Sequence, residues 1–181
     1  AAVDAAVGLS TTADIDRTAK LYIGGKQARP DSGYSYTVSG PKGPVGLAPL
    51  GSRKDIRNAV EAAAKASGWG KATGHNRAQV LYYIGENLSA RADEFADRLQ
   101  SFGANKGTAQ AEVEAAIRRC FWYAAQADKF DGAVHSTQSR MVTLAMNEPL
   151  GVIGIACADR HPLLGFISTV LPAIATGNAV V

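Results

Sequence analysis

The residues of this chain best suited to chemistry gather in one place. Cys157, Asp159, Arg160 and His161 fall within five positions, after an apolar run and directly before Pro162. A thiol near an imidazole and a carboxylate is the material of nucleophilic catalysis or of a proton relay. Arg160 offers something different, since a guanidinium beside a helix N-terminus can hold a phosphate or a carboxylate. Each of these residues also has a plainer structural reading, and the plainer reading is preferred in each case. Cys157 reads as a small buried hydrophobe at a strand end, because free cysteine is among the most buried residue types. Asp159 and His161 can satisfy backbone groups at a helix start. Arg160 can pair with Asp159 or a neighbouring carboxylate. Cys120 falls in a helical stripe and reads as core, while His75 and His135 stand in loop contexts where solvation explains them.

The elements that must hold this cluster follow from hydrophobic pattern. Leu150 to Cys157 is a continuous apolar run of strand length, the mark of a buried strand in a parallel sheet. Pro162 sits where proline is tolerated, at the first position of a helix. Leu163, Phe166, Ile167, Val170, Leu171 and Ile174 follow at helical spacing, and Gly177-Asn178 supplies the stop. Ala179-Val180-Val181 starts a second apolar strand. Strand, helix and strand in this order make a βαβ crossover of an open α/β sheet, whose ligands bind at the carboxyl ends of strands. Here that end is Ala156 to His161. Gly151-Val152-Ile153-Gly154 lies within the strand and is not a glycine-rich phosphate loop.

Upstream, residues 1–19 are rich in Ala, Thr, Ser and Asp and read as a linker or flexible arm. Lys20–Ile23 with Gly24-Gly25 predicts a short strand and a hairpin turn. Strands are expected at Tyr34–Val38 and Val45–Ala48. Ser52-Arg53-Lys54-Asp55 is a capping box with Asp in the acidic place, opening a helix that carries Ile56, Ala59, Val60 and Ala63. Asn76 is the expected cap of the next helix, with Val80, Leu81, Ile84 and Leu88 on its apolar face. A further helix carries Phe95, Ala96, Leu99 and Phe102, up to a stop at Gly103. A long one spans about Ala109 to Phe130, with Val113, Ile117, Cys120 and Ala124 on one side. Ser139 to Glu148 alternates as a strand with two different faces and requires a partner edge.

Composition narrows the function classes. With 46% hydrophobic residues, 181 residues can bury a core as one unit. The net charge of +3 is carried by dispersed Lys and Arg, without the basic stripe that nucleic-acid binding needs. No apolar stretch reaches about 18 residues, so no membrane span is expected. The two cysteines lack metal-ligand spacing, which argues for a reducing, cytoplasmic setting and against a metal site.

Several stretches resemble the aldehyde dehydrogenase superfamily. The run PLGVIGIACADRHPLLGFISTVLPAIATGNAVV is similar to the family's P-x-G-V-x-G strand, P-W-N-F-P turn, helix and G-N-x-V-V strand, in one frame of about 30 residues. LYIGGKQ resembles the family's N-terminal strand, and RRCFWYAAQADK its R-Y-Y-A-x-x-A-D-K helix end. The resemblance implies the N-terminal part of a Rossmann-like fold, covering residues 20–181. It implies that the backbone of Ala156, Cys157, Ala158, Asp159 and Arg160 lines the nicotinamide-ribose side of NAD or NADP. It also implies that the 139–148 strand pairs across a homodimer interface. One departure bears on activity: Asp159-Arg160-His161-Pro162 replaces Trp-Asn-Phe-Pro, and the family's Asn donates its amide to the oxyanion. Arg160 cannot reproduce that amide geometry.

KLYIGGKQARPD, SRKDIRNAVEAA and RRCFWYAAQADKFDG are most similar to family 16, whose members carry a second, non-catalytic module. The expectation is therefore a non-catalytic segment with a structural or oligomerisation role, inside a parent that oxidises aldehydes to carboxylic acids. No catalytic residue and no metal ligand is assigned. NAD or NADP is assigned to the parent, none to this chain alone. The remainder of the parent polypeptide is the expected partner, with no nucleic acid and no membrane. Two alternatives stay open: the first half of an active module whose Asn was replaced, and a scaffold or protein-binding pseudoenzyme.

Overall fold

A computed structural model describes residues 19–138 and 140–181. The expected linker therefore lies outside the described residues, except for Ala19, whose N–H donates to the Leu47 carbonyl at 3.1 Å. Strands β1 (Leu21–Ile23) and β2 (Lys26–Ala28) form an antiparallel hairpin. Gly24 and Gly25, with φ of 63° and 78°, take the two left-handed positions that match the twist of so tight a turn. A second hairpin joins β3 (Ser35–Gly40) to β4 (Gly43–Pro49), with a bulge at Val38/Ser39.

Helix α1 (Arg53–Lys65) begins at the expected capping box. Asp55 Oδ2 accepts from the Ser52 backbone N–H at 2.7 Å and from its hydroxyl at 2.8 Å. Its other oxygen accepts from Asp31 N–H at 3.0 Å, so one carboxylate joins the helix start to the loop before β3. Lys54 closes the group with an ion pair to Asp31 at 2.6 Å.

A one-turn helix, α2 (Gly68–Lys71), precedes α3 (Gly74–Ala90), α4 (Ala92–Ser101) and α5 (Lys106–Ala127). Thr73, not Asn76, caps α3: its hydroxyl accepts from the Asn76 N–H, which puts the helix start three residues earlier. Asn105 caps α5 in the same manner, extending that helix upstream of Ala109. Leu81 of α3 and Val113 and Cys120 of α5 are fully buried between these helices. Gly85 lets α3 and α5 approach closely, since a Cβ there would stand 3.2 Å from that of Cys120.

The chain then forms an exposed hairpin of β5 (Ala133–His135) and β6 (Thr143–Ala145), pairing Val134 with Leu144. His135 thus belongs to a strand, and the expected 139–148 strand is reduced to three paired residues. The last unit is β7 (Val152–Ile153), α6 (Pro162–Ala175) and β8 (Ala179–Val180), with β7 and β8 parallel as expected. Flanking bonds lengthen the pairing, from Ala179 N–H to Gly151 O at 2.8 Å through Ile155 N–H to Val181 O at 2.8 Å. Ile167 and Leu171 of α6 join the α3–α5 core.

The Asp55 cluster makes an acid-stability prediction. The Ser52 backbone N–H, ahead of the other contacts, holds the Asp55 carboxyl below the ordinary carboxylate range. Its contribution is therefore fully present above the unfolded-state value and is lost as pH falls through the folded-state value, below about pH 4. Urea midpoints measured between pH 7 and pH 3 should fall more steeply for the wild type than for Asp55→Asn. Parallel slopes would remove this group from the account.

Candidate site at the end of strand β7

Helix α6 is gripped at both ends by residues from the helical core. Its start lacks a cap of its own. His161, in the N-cap place, has left-handed backbone angles (φ 53°, ψ 60°) and no side-chain bond to the helix. Histidine is among the residues that tolerate this region, at some cost. Pro162 has no N–H, so Leu163 and Leu164 carry the first free donors. Both donate to Glu112 Oε1, at 3.0 and 3.2 Å. Glu112 Oε2 lies 3.3 Å from His161 Nδ1. Glu112 projects from α5 with its side chain 4% exposed, so a buried carboxylate from another helix does the work of an N-cap.

The far end of α6 is a Schellman stop. Gly177 (φ 90°) donates to Ile174 O and Asn178 N–H to Ala173 O, each at 3.0 Å. The Trp69 indole donates to Ile174 O at 2.9 Å, and Arg77 Nε to Ala175 O at 2.9 Å while its Nη1 reaches Ala72 O. A cation thus meets the negative end of the helix dipole. Buried Asn178 ties this stop to the sheet: its Oδ1 accepts from Gly151 N–H at 3.0 Å, and its amide donates to Ala173 O at 3.2 Å.

Between these anchors, Ala156 to Arg160 are exposed. Among the described residues their backbone makes no hydrogen bond. Five peptide groups with free donors and acceptors therefore stand at the carboxyl end of a parallel strand, which fits a ligand held by main-chain contacts. Asp159 and Arg160 form no side-chain hydrogen bond or ion pair among the described residues, so the expected pairing between them is absent. Asp159 does not cap α6 either; Glu112 takes that place. Cys157 is exposed, contrary to the buried reading, because β7 gives up its pairing at Ile155 and the chain leaves the sheet. Its Sγ lies 4.0 Å from Thr169 Oγ1. No cluster of three potential metal ligands occurs among the described residues. An apolar groove of about 760 Å³ opens elsewhere, between β1, α1 and β8, with Leu21, Ile56, Ala63 and Val180 on its walls.

Glu112 was missed by sequence reading, though a signal existed. It occupies the stripe of Ala116, Cys120 and Ala124, so a carboxylate stands on an otherwise apolar helix face.

A parallel βαβ crossover with an open strand end, packed on a helical layer, defines a mixed α/β protein of the Rossmann-like kind. The model of the aldehyde dehydrogenase family matches residues 15–181, and the chain belongs to that family. It is similar to the crystal structure of an NAD-dependent aldehyde dehydrogenase from Sinorhizobium meliloti, at 26% identity and a TM-score of 0.87. That match covers 92% of this chain and 35% of the other. An aldehyde dehydrogenase structure from Burkholderia cenocepacia is 30% identical, with a TM-score of 0.86 over 90% of this chain and 35% of that one. Betaine aldehyde dehydrogenase from Staphylococcus aureus, solved with NAD+, shares the fold at 21% identity, with a TM-score of 0.84, 89% of this chain and 34% of that one covered. The chain spans about a third of the length of these relatives. It matches the N-terminal part of their fold.

The two thiols should behave oppositely. Burial pushes the Cys120 thiol up to about 11, leaving almost no thiolate near neutral pH, whereas Cys157 faces solvent. Iodoacetamide at pH 8 should modify one cysteine in the native protein and both in urea, with Cys157→Ser abolishing the native reaction. Native modification of Cys120 would contradict the packing described.

Proposed function

We propose that this chain is a non-catalytic segment of an NAD(P)-dependent aldehyde dehydrogenase, with a structural and oligomerisation role in a parent that converts aldehydes to carboxylic acids. The observation that carries this reading is the strand end itself. The backbone of Ala156–Arg160 is free for main-chain contacts, while Arg160 stands where the family uses the amide of an Asn. When bound, the nicotinamide cofactor would supply the hydride acceptor. This chain would contribute the wall: Ala156, Cys157, Ala158, Asp159 and Arg160 orient the nicotinamide-ribose side, and Glu112 and Asn178 hold the elements beneath it. No residue here is assigned as nucleophile, general base or metal ligand.

Within this reading the β5–β6 hairpin is the interface of a homodimer. Its side chains support that: Val134 is 74% exposed and Leu144 58%, and an isolated apolar hairpin needs a partner. The apolar groove beside β8 receives the remainder of the parent polypeptide. The similarity of KLYIGGKQARPD and RRCFWYAAQADKFDG to family 16 favours the second, non-catalytic module, joined to the first by residues 1–19. Two free thiols suit a cytoplasmic setting. A second reading, the first half of an active module whose Asn was replaced, would be favoured by a catalytic Cys and Glu in the sequence downstream of Val181.

The intact mass of the native polypeptide, combined with calorimetric titration of NAD and NADP, tests both. A mass well above that of 181 residues, with nucleotide binding but no catalytic cysteine in the same module, supports the segment reading. Binding together with dehydrogenase activity that requires this module favours the second. A native polypeptide of this size with no nucleotide affinity contradicts both and leaves a scaffold.

A further inference from the structure

We infer that Glu112 is a positioning residue for the Ala156–Arg160 strand end, setting how that backbone is presented to a bound nucleotide. The backbone of the turn has two fixed points, and between them the described residues show only the weak contact of Cys157 Sγ with Thr169 Oγ1 at 4.0 Å. Upstream, Ile155 N–H is tied to Val181 O; downstream, Leu163 and Leu164 N–H are tied to Glu112. The intervening backbone makes no hydrogen bond among the described residues, so its course is set by its ends. The downstream end cannot hold itself. His161 provides no cap, Pro162 offers no donor, and the left-handed angles at His161 need support from outside the turn. One buried carboxylate gives that support through two backbone N–H groups and the His161 ring. Displacing it would let residues 156–160 adopt other courses and charge their ordering to the ligand, which lowers affinity without unfolding the core.

Glu112 acts on a nucleotide only if the strand end is the edge proposed above, so two readouts are needed. Hydrogen–deuterium exchange of the peptide spanning residues 155–165, in the native full-length protein, reports the turn directly. Calorimetric titration of NAD reports the ligand. Glu112→Gln keeps a carbonyl oxygen for the two N–H groups, whereas Glu112→Ala removes it. Glu112→Asp draws the carboxylate back by one carbon and serves if the Ala variant fails to fold. Arg77→Ala, which loosens the other end of α6, is the control for a merely structural effect.

Glu112→Ala or Glu112→Asp should speed exchange in 155–165 and weaken NAD binding by about tenfold or more, with Glu112→Gln within roughly threefold of wild type. Arg77→Ala should lower thermal stability and leave exchange in 155–165 unchanged. Unaltered exchange in the Glu112 variants, or an equal change in Arg77→Ala, overturns the positioning role. A wild-type protein that does not bind NAD overturns the nucleotide reading, and with it the ligand half of this role. Faster exchange in the Glu112 variants, with rescue by Gln, would still assign the turn to Glu112.

Discussion

The carboxylate of Glu112 beneath the start of α6 is the contact on which the βαβ unit depends. A buried charge is costly unless its oxygens are satisfied, and Glu112 satisfies them with Leu163, Leu164 and His161. Arg77 answers it at the opposite end of the helix, bonded to Ala175 O and Ala72 O. Charges of the right sign at helix ends contribute about 0.3–1 kcal/mol when exposed and up to about 2 kcal/mol when partly buried. The magnitude matters less than the geometry. Both residues belong to the helical core, so they register α6, and the strands on either side of it, against α3 and α5.

That registration explains why the two halves of the molecule look so different. The helical layer is closely packed around Leu81, Val113, Cys120 and Leu171. The sheet has two strands, and its residues are only half buried. A parallel sheet ordinarily has both faces covered. Here α6 packs against β8 and α1 meets both strands, while the groove beside β8 and the strand end after β7 stay open. The open regions are where the proposed function puts contacts with a cofactor and with more of the polypeptide. The rigid helical layer and the open sheet edge are thus complementary parts of one arrangement, in which the first holds the second in place.

Much of this was legible in the sequence because it rests on local rules. The Ser52–Asp55 box, Pro162 at a helix start and Gly177 at its stop each depend on neighbours within a few positions. The parallel pairing of β7 and β8 followed from two apolar strands around a helix. The failures were non-local. Glu112 meets partners about 50 residues away, and only the break it makes in an apolar stripe hinted at burial. Three residues of β5 carry no alternation of their own and exist as a strand only through pairing with β6. Cys157 follows a hydrophobic run but lies past the last sheet bond, so composition alone overstated its burial. Arg160, expected to find a carboxylate, has none within bonding reach among the described residues.

The most direct measurement is a crystal structure of the native protein grown with NAD. The account predicts Glu112 seated under Leu163 and Leu164, His161 in its left-handed conformation, and the nicotinamide-ribose side of the nucleotide against the backbone of Ala156–Arg160. A nucleotide bound at any other edge, or a Glu112 carboxylate turned away from α6 while the turn keeps its course, would contradict it.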